Sequence, residues 1–453
     1  MSQNGIMKET IEKYRDTMFE VEQHIFNNAE SGYREWKTNA YLAEKFEALG
    51  YELTMAGNIP GFITDLDTGR PGPCICIMAE LDSLIIPDHP NAFPETGAAH
   101  ACGHHAQCSA LLGVAAALKA PGALDDMCGK IRLATVPAEE LIEIGYREEL
   151  RSQGIIKYFG GKVEFLYRGL LDGVDITFMV HTSPANPGGF AIGLGNNGCL
   201  TKEVTYKGVS AHAGGSPHAG VNALYAAQVG LMGLNSLRET FKDSDHIRVH
   251  PIITEGGQVV NAIPATVKVE SYVRGATVDA IVVENKKVNR AFAAGAAALG
   301  AGVLISDRFG YMPLRNDPNL SAIAAECMLD VVPADKIIAD APWSTGSTDM
   351  GDMSTVMPVL HPMVGGACGI GHGNDYRIND PETALVKCAM FQALFAHKLL
   401  SDGAALAKDV LAKKEVVFDS KEAYFAFVDK VAMDKDAVIY NEDGTVTLDF
   451  CNE

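Results

Sequence analysis

The run His100-Ala101-Cys102-Gly103-His104-His105 sets a cysteine and an imidazole two residues apart, and Pro137-Ala138-Glu139-Glu140 follows at the end of an apolar stretch. A lone His181 closes another such stretch. Thiolate, imidazole and carboxylate together are the donor set of a borderline-soft transition metal such as zinc. A spare carboxylate beside the ligands points to metal-assisted hydrolysis. Taken singly, each piece has a plainer reading: a buried cysteine with a hydrogen-bonded histidine, two glutamates on a solvated loop, a core histidine. Their common location gives them weight.

That location follows from the elements around them. Apolar runs at Gly61–Leu66, Cys74–Ala79, Ile131–Val136 and Val174–Val180 are each bounded by Gly, Pro or Asp. Helical segments lie between some of them, and Ala106–Lys119 carries Leu111, Leu112, Ala115 and Leu118 on one face. Two helices precede these runs, over about residues 7–28 and 37–49, the second stopping at Gly50. Continuous apolar strands alternating with helices predict an α/β fold, a mostly parallel sheet with helices on both faces. Ligands collect at the carboxyl ends of such strands, and three strand ends each deliver a candidate ligand to one edge. A further ligand is expected from the later chain, where Gly369-Ile370-Gly371-His372-Gly373 offers His372 on a flexible turn. His361 competes for that place, but Pro362 and its apolar flank suit a structural role better.

At 453 residues the chain exceeds one ordinary core. Gly, Pro and Asn accumulate around residues 186–198, as in a linker. Beyond them Pro264–Arg274 alternates, with Ala265, Val267, Val269 and Val273 against Thr266, Lys268, Glu270 and Tyr272, a strand with one wet face. With helices at about 219–238 and 277–298 the order becomes strand, helix, two strands, helix, strand, a ferredoxin-like α+β sandwich. It ends near Gly310-Tyr311-Met312-Pro313, where helix–strand alternation resumes. The expected organisation is therefore a catalytic domain in two parts, 1–197 and 312–403, an inserted domain at 198–311, and a C-terminal extension at 404–453. A net charge of -20 disfavours nucleic acid or an anionic membrane as partner. No apolar run reaches membrane-span length, and the polar start lacks the core of a secretory signal. Ten cysteines in a chain this long do not make a disulfide framework, and Cys74 and Cys76 share one strand face, so the cytoplasm is the expected compartment.

Together these residues resemble the aminoacylase and carboxypeptidase-G type of dinuclear metallopeptidases, in its amidohydrolase branch. The resemblance spans about residues 15–400. It includes Glu30-Ser31-Gly32-Tyr33-Arg34-Glu35, Ala79-Glu80-Leu81-Asp82-Ser83-Leu84, the Cys-Gly-His and Pro-Ala-Glu-Glu runs, and Asp175–His181. It continues through Gly208-Val209-Ser210-Ala211-His212-Ala213, Asn261-Ala262-Ile263-Pro264 and Gly346-Ser347-Thr348-Asp349-Met350-Gly351. Ser347–Asp352 and Gly160-Gly161-Lys162 look closest to aminobenzoyl-glutamate and dipeptide hydrolases.

The resemblance implies two divalent ions held by Cys102, His104, Glu140, His181 and His372, with zinc suiting the donors and manganese or cobalt as alternatives. It implies Glu139 as general base and Asp82 as the acid orienting a ligand. The inserted domain is then a lid and dimerisation domain, giving a homodimer, with His212 stabilising the oxyanion, often in the partner's site. Asn261 and Arg274 would contact substrate, Arg274 through a carboxylate, although a surface salt bridge is an equal reading for it. The implied reaction is hydrolysis of the amide bond of a small molecule: an N-acyl amino acid, an aminobenzoyl-glutamate-like compound or a dipeptide. Several features depart from the branch. His105 stands where an acid or amide is usual, either weakening the support of His104 or adding a ligand, and Gln107 replaces a common histidine. Residues 141–159, with Tyr146, Arg147, Arg151 and Tyr158, read as an insertion shaping the substrate pocket, and Pro87–Ala99 is another long loop. Two other readings compete: a non-catalytic metal- or peptide-binding relative, and a cysteine hydrolase with Cys102 as nucleophile, which leaves Glu140, His181 and His372 without roles.

Overall fold

Strands β1 (Thr54–Met55), β2 (Phe62–Asp67), β3 (Cys74–Glu80), β4 (Lys130–Val136) and β5 (Ile176–Phe178) build one sheet with a two-residue strand at Val359–Leu360. They do so in a computed structural model that describes residues 2–452. The spatial order is β1-β2-β4-β3-β5-Val359. From β4 to Val359 every pairing is parallel, whereas β1–β2 and β2–β4 are antiparallel. The sheet is thus mixed, mostly parallel, rather than parallel throughout. β2 can run backwards because it lies near the margin, where Asp65 and Asp67 escape full burial. β3, in the middle, is buried along its whole length.

This sheet belongs to the first of two compact units, which comprises the chain up to Gly195, Arg315–Trp343 and Asp352–Val417. Within it lie α1 (Gln3–Phe26), α2 (Trp36–Ala48), α3 (His104–Lys119), α4 (Ile144–Ser152) and α5 (Gly161–Tyr167). α3 packs against β3, α1 and the helix Cys388–Leu400, and every residue from His104 to Leu118 is buried. Such a helix is apolar on all sides because no side meets water. Leu111, Leu112 and Leu118 each contribute about 1.5–3 kcal/mol by leaving water. That packing fixes the start of α3, and His104 with it, against the sheet. A smaller sheet of His181–Thr182, Met363–Val364, Phe190–Gly193 and Ile337–Ala341 continues beyond β5.

The second unit comprises Asn196–Leu314, Ser344–Gly351 and the tail from Phe418. Its strands are β6 (Gly198–Lys207), β7 (Arg248–Val249), β8 (Ile252–Glu255), β9 (Thr266–Gly275) and β10 (Gly302–Tyr311). The order is β7-β9-β6-β10, with β8 also on β9 and every pairing antiparallel. In β9, Val267, Val269 and Val273 are buried on the side of α6 (Ala223–Leu237) and α7 (Val278–Ala298), while Thr266 and Glu270 face water. The tail does not stand apart. Its helix Ala405–Ala412 lies in the first unit, and β11 (Met433–Asp436) pairs with β10 and covers that strand's edge.

Lys202 of β6 is fully buried and donates to Asp307 of β10 and to Asn289 of α7, while Asn285 and Asn289 also donate to Asp307. Burial pushes the Lys202 ammonium down, and Asp307 opposes that. Removing the carboxylate would leave an unpaired buried charge, so Asp307→Ala should cost about 3–5 kcal/mol in urea unfolding. A loss under about 1 kcal/mol would show that this pair does not hold the sheet to α7.

Candidate metal centre

Because β3, β4 and β5 are parallel, the chain leaves all three at one edge of the first unit's sheet. Glu80 is the last residue of β3, with Asp82 two positions on, and Glu139 and Glu140 follow β4. His181 follows β5, and His104 opens α3. Gly103 makes the tight entry into α3 with φ of 109°, and a Cβ there would lie 1.8 Å from Thr182 Oγ1. Only glycine allows that approach, which sets Cys102 and His104 beside the His181–Thr182 strand.

The candidate donors fall into groups whose ligand atoms lie within 4.8 Å of one another. Cys102, His104 and His181 form one, and Cys102, Glu140 and His372 another, so Cys102 is common to both. Cys102 Sγ is 3.2 Å from His181 Nε2, and His372 Nε2 is 3.2 Å from Glu140 Oε1. His372 reaches in from its turn with φ of 64°, held by its N–H donating to Ala101 O at 2.8 Å. Glu139 goes elsewhere, into a group with Glu80 and His104. The adjacent glutamates therefore serve different groups.

These residues fit divalent ions. His104 Nε2 and Glu140 Oε1 are buried against other candidate donors, Glu80 Oε2 at 3.0 Å and His372 Nε2 at 3.2 Å, without a well-formed hydrogen bond, a convergence of polar atoms that metal coordination would satisfy. The Cys102 thiol points the same way. Burial and then Glu140 push it well above the ordinary range, outweighing its place just before the N-terminus of α3, where the helix dipole favours a thiolate. A bound cation reverses that balance, since a coordinating thiol is deprotonated. The same shift disfavours Cys102 as a metal-free nucleophile.

Asp82 aims the imidazole. His104 Nδ1 donates to Asp82 O at 2.8 Å and lies 3.2 Å from Asp82 Oδ1, which turns Nε2 toward the other donors. Asp82 Oδ2 accepts the Glu140 N–H at 2.9 Å. Likewise His181 Nδ1 donates to Thr182 O at 2.7 Å, leaving Nε2 for Cys102. Burial alone would depress the His104 imidazolium, but Glu80, Cys102 and Asp82 together hold it well above the usual range.

Sequence reasoning gave no role to Glu80 or Lys162. Glu80 Oε1 accepts from the fully buried Lys162, and Oε2 accepts from Gln107 Nε2 at 2.8 Å and lies 3.0 Å from His104 Nε2. Burial would raise the Glu80 carboxyl, yet Lys162 and then His104 hold it far below the usual carboxylate range. The available signal was a carboxylate ending a strand otherwise wholly apolar.

His105 lies apart from these donors. It belongs to none of the donor groups, and its Nε2 lies 3.2 Å from Glu22 Oε1 of α1, its ring among Phe26 and His100. His104 keeps its support from Asp82 regardless. His361 is also outside the groups; it is buried against Met179 O, and burial pushes its imidazolium down to about 3.

The second unit holds the other predicted residues in two places. His212 is exposed, its Nδ1 accepting the N–H groups of Gly214 and Gly215 at 3.2 and 2.9 Å. It sits beside Asn261, whose carbonyl accepts the Ala213 N–H at 2.9 Å. Arg274 is at the opposite end of β9, eight positions from Thr266 and so about 26 Å along the strand. Its guanidinium lies 4.5 Å from the Tyr272 ring, and among the described residues it makes no ion pair, with Nε buried and unpartnered.

Residues 76–398 match the model for Peptidase family M20/M25/M40, well over half the chain. The chain belongs to this family. Within the M20 family it is similar to the Xaa-Arg dipeptidase of Mus musculus, 32% identical over 329 residues that cover 71% of this chain and 69% of the relative. It is similar to the N-acetyl-L-cysteine deacetylase of Bacillus subtilis, 27% identical over 415 residues, 88% of this chain and 91% of the relative. A crystal structure of an M20 peptidase from Bacillus subtilis, described as dinuclear metal binding, shares the fold with a TM-score of 0.67 at 21% identity, covering 86% of this chain and 99% of that one.

Since Cys102 is common to both donor groups, Cys102→Ala should lower zinc per chain more than His372→Ala does, by elemental analysis after dialysis. Equal losses from the two variants would contradict the sharing.

Proposed function

We propose that this M20-family hydrolase is a metal-dependent amidohydrolase acting on an N-acyl amino acid, an aminobenzoyl-glutamate-like compound or a dipeptide. The observation that carries the reading is the division of labour between Glu139 and Glu140, one beside the Cys102 groups and one within them. Cys102, His104 and His181 would hold one ion, and Cys102, Glu140 and His372 the other. Bound there, divalent ions lower the pKa of a water and polarise a carbonyl oxygen. Glu139 takes the proton of the attacking water and delivers it to the leaving nitrogen, work that typically supplies 10²–10⁴-fold. Asp82 keeps His104 Nε2 aimed and the Glu140 peptide in place.

In this reading residues 198–311 are a lid that pairs two subunits. His212, exposed on its loop, stabilises the oxyanion, in trans where the lid of one subunit serves the other. Asn261 beside it contacts substrate. The Arg274 guanidinium, which makes no ion pair among the described residues and keeps Nε without a partner, suits a substrate carboxylate. The amide bond to an amino acid, common to the dipeptidase and deacetylase relatives, supports the substrate class.

Glu139→Gln should retain bound metal and KM while kcat falls about 10²–10⁴-fold; near-wild-type kcat would remove Glu139 as the base. Wild-type turnover should be lost to a chelator and restored by zinc, manganese or cobalt, and chelator-resistant turnover would move the chemistry to Cys102. Mixing His212→Ala with Glu139→Gln subunits should recover activity. No recovery despite demonstrated subunit exchange would exclude action in trans.

A further inference from the structure

Arg147 of α4 is 1% exposed, a rare state for arginine unless its charge is answered. Among the described residues no carboxylate lies within ion-pair distance of it. Its guanidinium donates instead to main-chain carbonyls, to Phe159 O at 2.7 Å and to Glu140 O, and approaches Ala138 O at 3.5 Å. Two of these carbonyls belong to the loop that bears Glu139. The N–H groups of the same two residues are held from the other side: Ala138 N–H donates to Glu35 Oε1 at 2.8 Å and Glu140 N–H to Asp82 Oδ2 at 2.9 Å. Ala138 has φ of 56°, a left-handed conformation that a residue with a side chain keeps only where its surroundings over-determine it.

The segment Gly32-Tyr33-Arg34-Glu35, so far without a role, closes this clamp. A Cβ on Gly32 would lie 2.7 Å from Arg147 Nη2, so the guanidinium rests on bare backbone there. The Tyr33 hydroxyl donates to Tyr158 O at 3.1 Å, and its ring lies 5.6 Å from Arg147 Cζ. Arg34 bonds Glu143 at 2.7 Å and stacks on Tyr146 at 3.6 Å.

We infer that Arg147 is a positioning residue that locks the Ala138–Glu140 loop, so that the segment 141–159 sets the aim of Glu139 and Glu140 from behind the site. The consequence for catalysis rests on the functional reading above; the locking does not. Hydrogen exchange on the metal-free protein reads it directly. In Arg147→Met the amides of residues 136–143 should exchange at least about 10-fold faster while those of α3 stay unchanged. Cobalt titration should show the Cys102, Glu140 and His372 site weakened about 10–100-fold, and kcat should fall by a like factor with KM within about threefold, the usual effect of losing a residue that supports a ligand. Arg147→Lys, which keeps the charge but cannot fork between carbonyls, should change the same quantities less, and it carries the test if the methionine variant does not fold. Unaltered loop exchange and cobalt affinity in a folded variant would overturn the inference. A wild type that binds cobalt and loses loop protection on substitution, but cleaves no amide, would support the clamp and refute the functional reading alone.

Discussion

Asp82, without exposure to water, accepts from His104 Nδ1 at its main-chain carbonyl, keeps its carboxylate 3.2 Å from the same nitrogen, and accepts the Glu140 N–H at that carboxylate's other oxygen. Those residues come from different elements, one opening a buried helix and the other ending a loop after β4. The acid joins them, so the distance between two candidate ligands is set by bonds made behind them. Without that link each would depend on its own backbone, and coordination tolerates little misplacement. The parallel trio β3, β4 and β5 exists in this account to present three chain ends at a common edge, and Asp82 converts that coarse convergence into fixed geometry.

The same edge gathers more acid than base. Glu35, Glu80, Asp82, Glu139 and Glu140 are all buried there, with Cys102 among them. The fixed cations supplied by the chain are Lys162 on Glu80 and Arg147 on the loop carbonyls. Buried like charges repel unless answered. Burial keeps Glu35 and the Cys102 thiol toward their neutral forms, which removes part of the surplus, and bound cations would answer the rest, coupling metal binding to the folding balance of this edge.

Much of this was legible in the sequence, because apolar runs and their boundaries encode strands, and parallel strands fix where their ends go. Cys102, His104, the Glu139-Glu140 pair and His181 could be drawn to one edge on that basis; His372 had to be drawn from a turn of the later chain, and the ligand set as a whole came from the family resemblance. Strand direction was not legible for β2, since an apolar run reads the same in either sense. His105 was open to misreading because it adjoins His104 in the chain, yet successive helical residues diverge by about 100° around the axis, and His105 turns to α1. Glu35, Glu80, Lys162 and Arg147 left no periodic trace. A buried charge is defined by its partner, and Glu80 lies 82 positions from Lys162 while Glu35 lies 103 from Ala138. The state of the Cys102 thiol is hidden for a similar reason: proximity to a helix start is local, but the burial and the Glu140 that outweigh it are not.

The tail strand β11 gives the second unit an asymmetry of its own. It pairs with Leu304–Asp307 on one rim of the sheet, while at the other rim all of β8 lies open. A sheet with two open rims can add copies head to tail without limit, the geometry of filaments. With part of one rim paired by the chain itself, the β8 rim is the longer surface left for strand-to-strand addition. The last thirty-odd residues thereby keep part of one sheet edge from pairing with another chain.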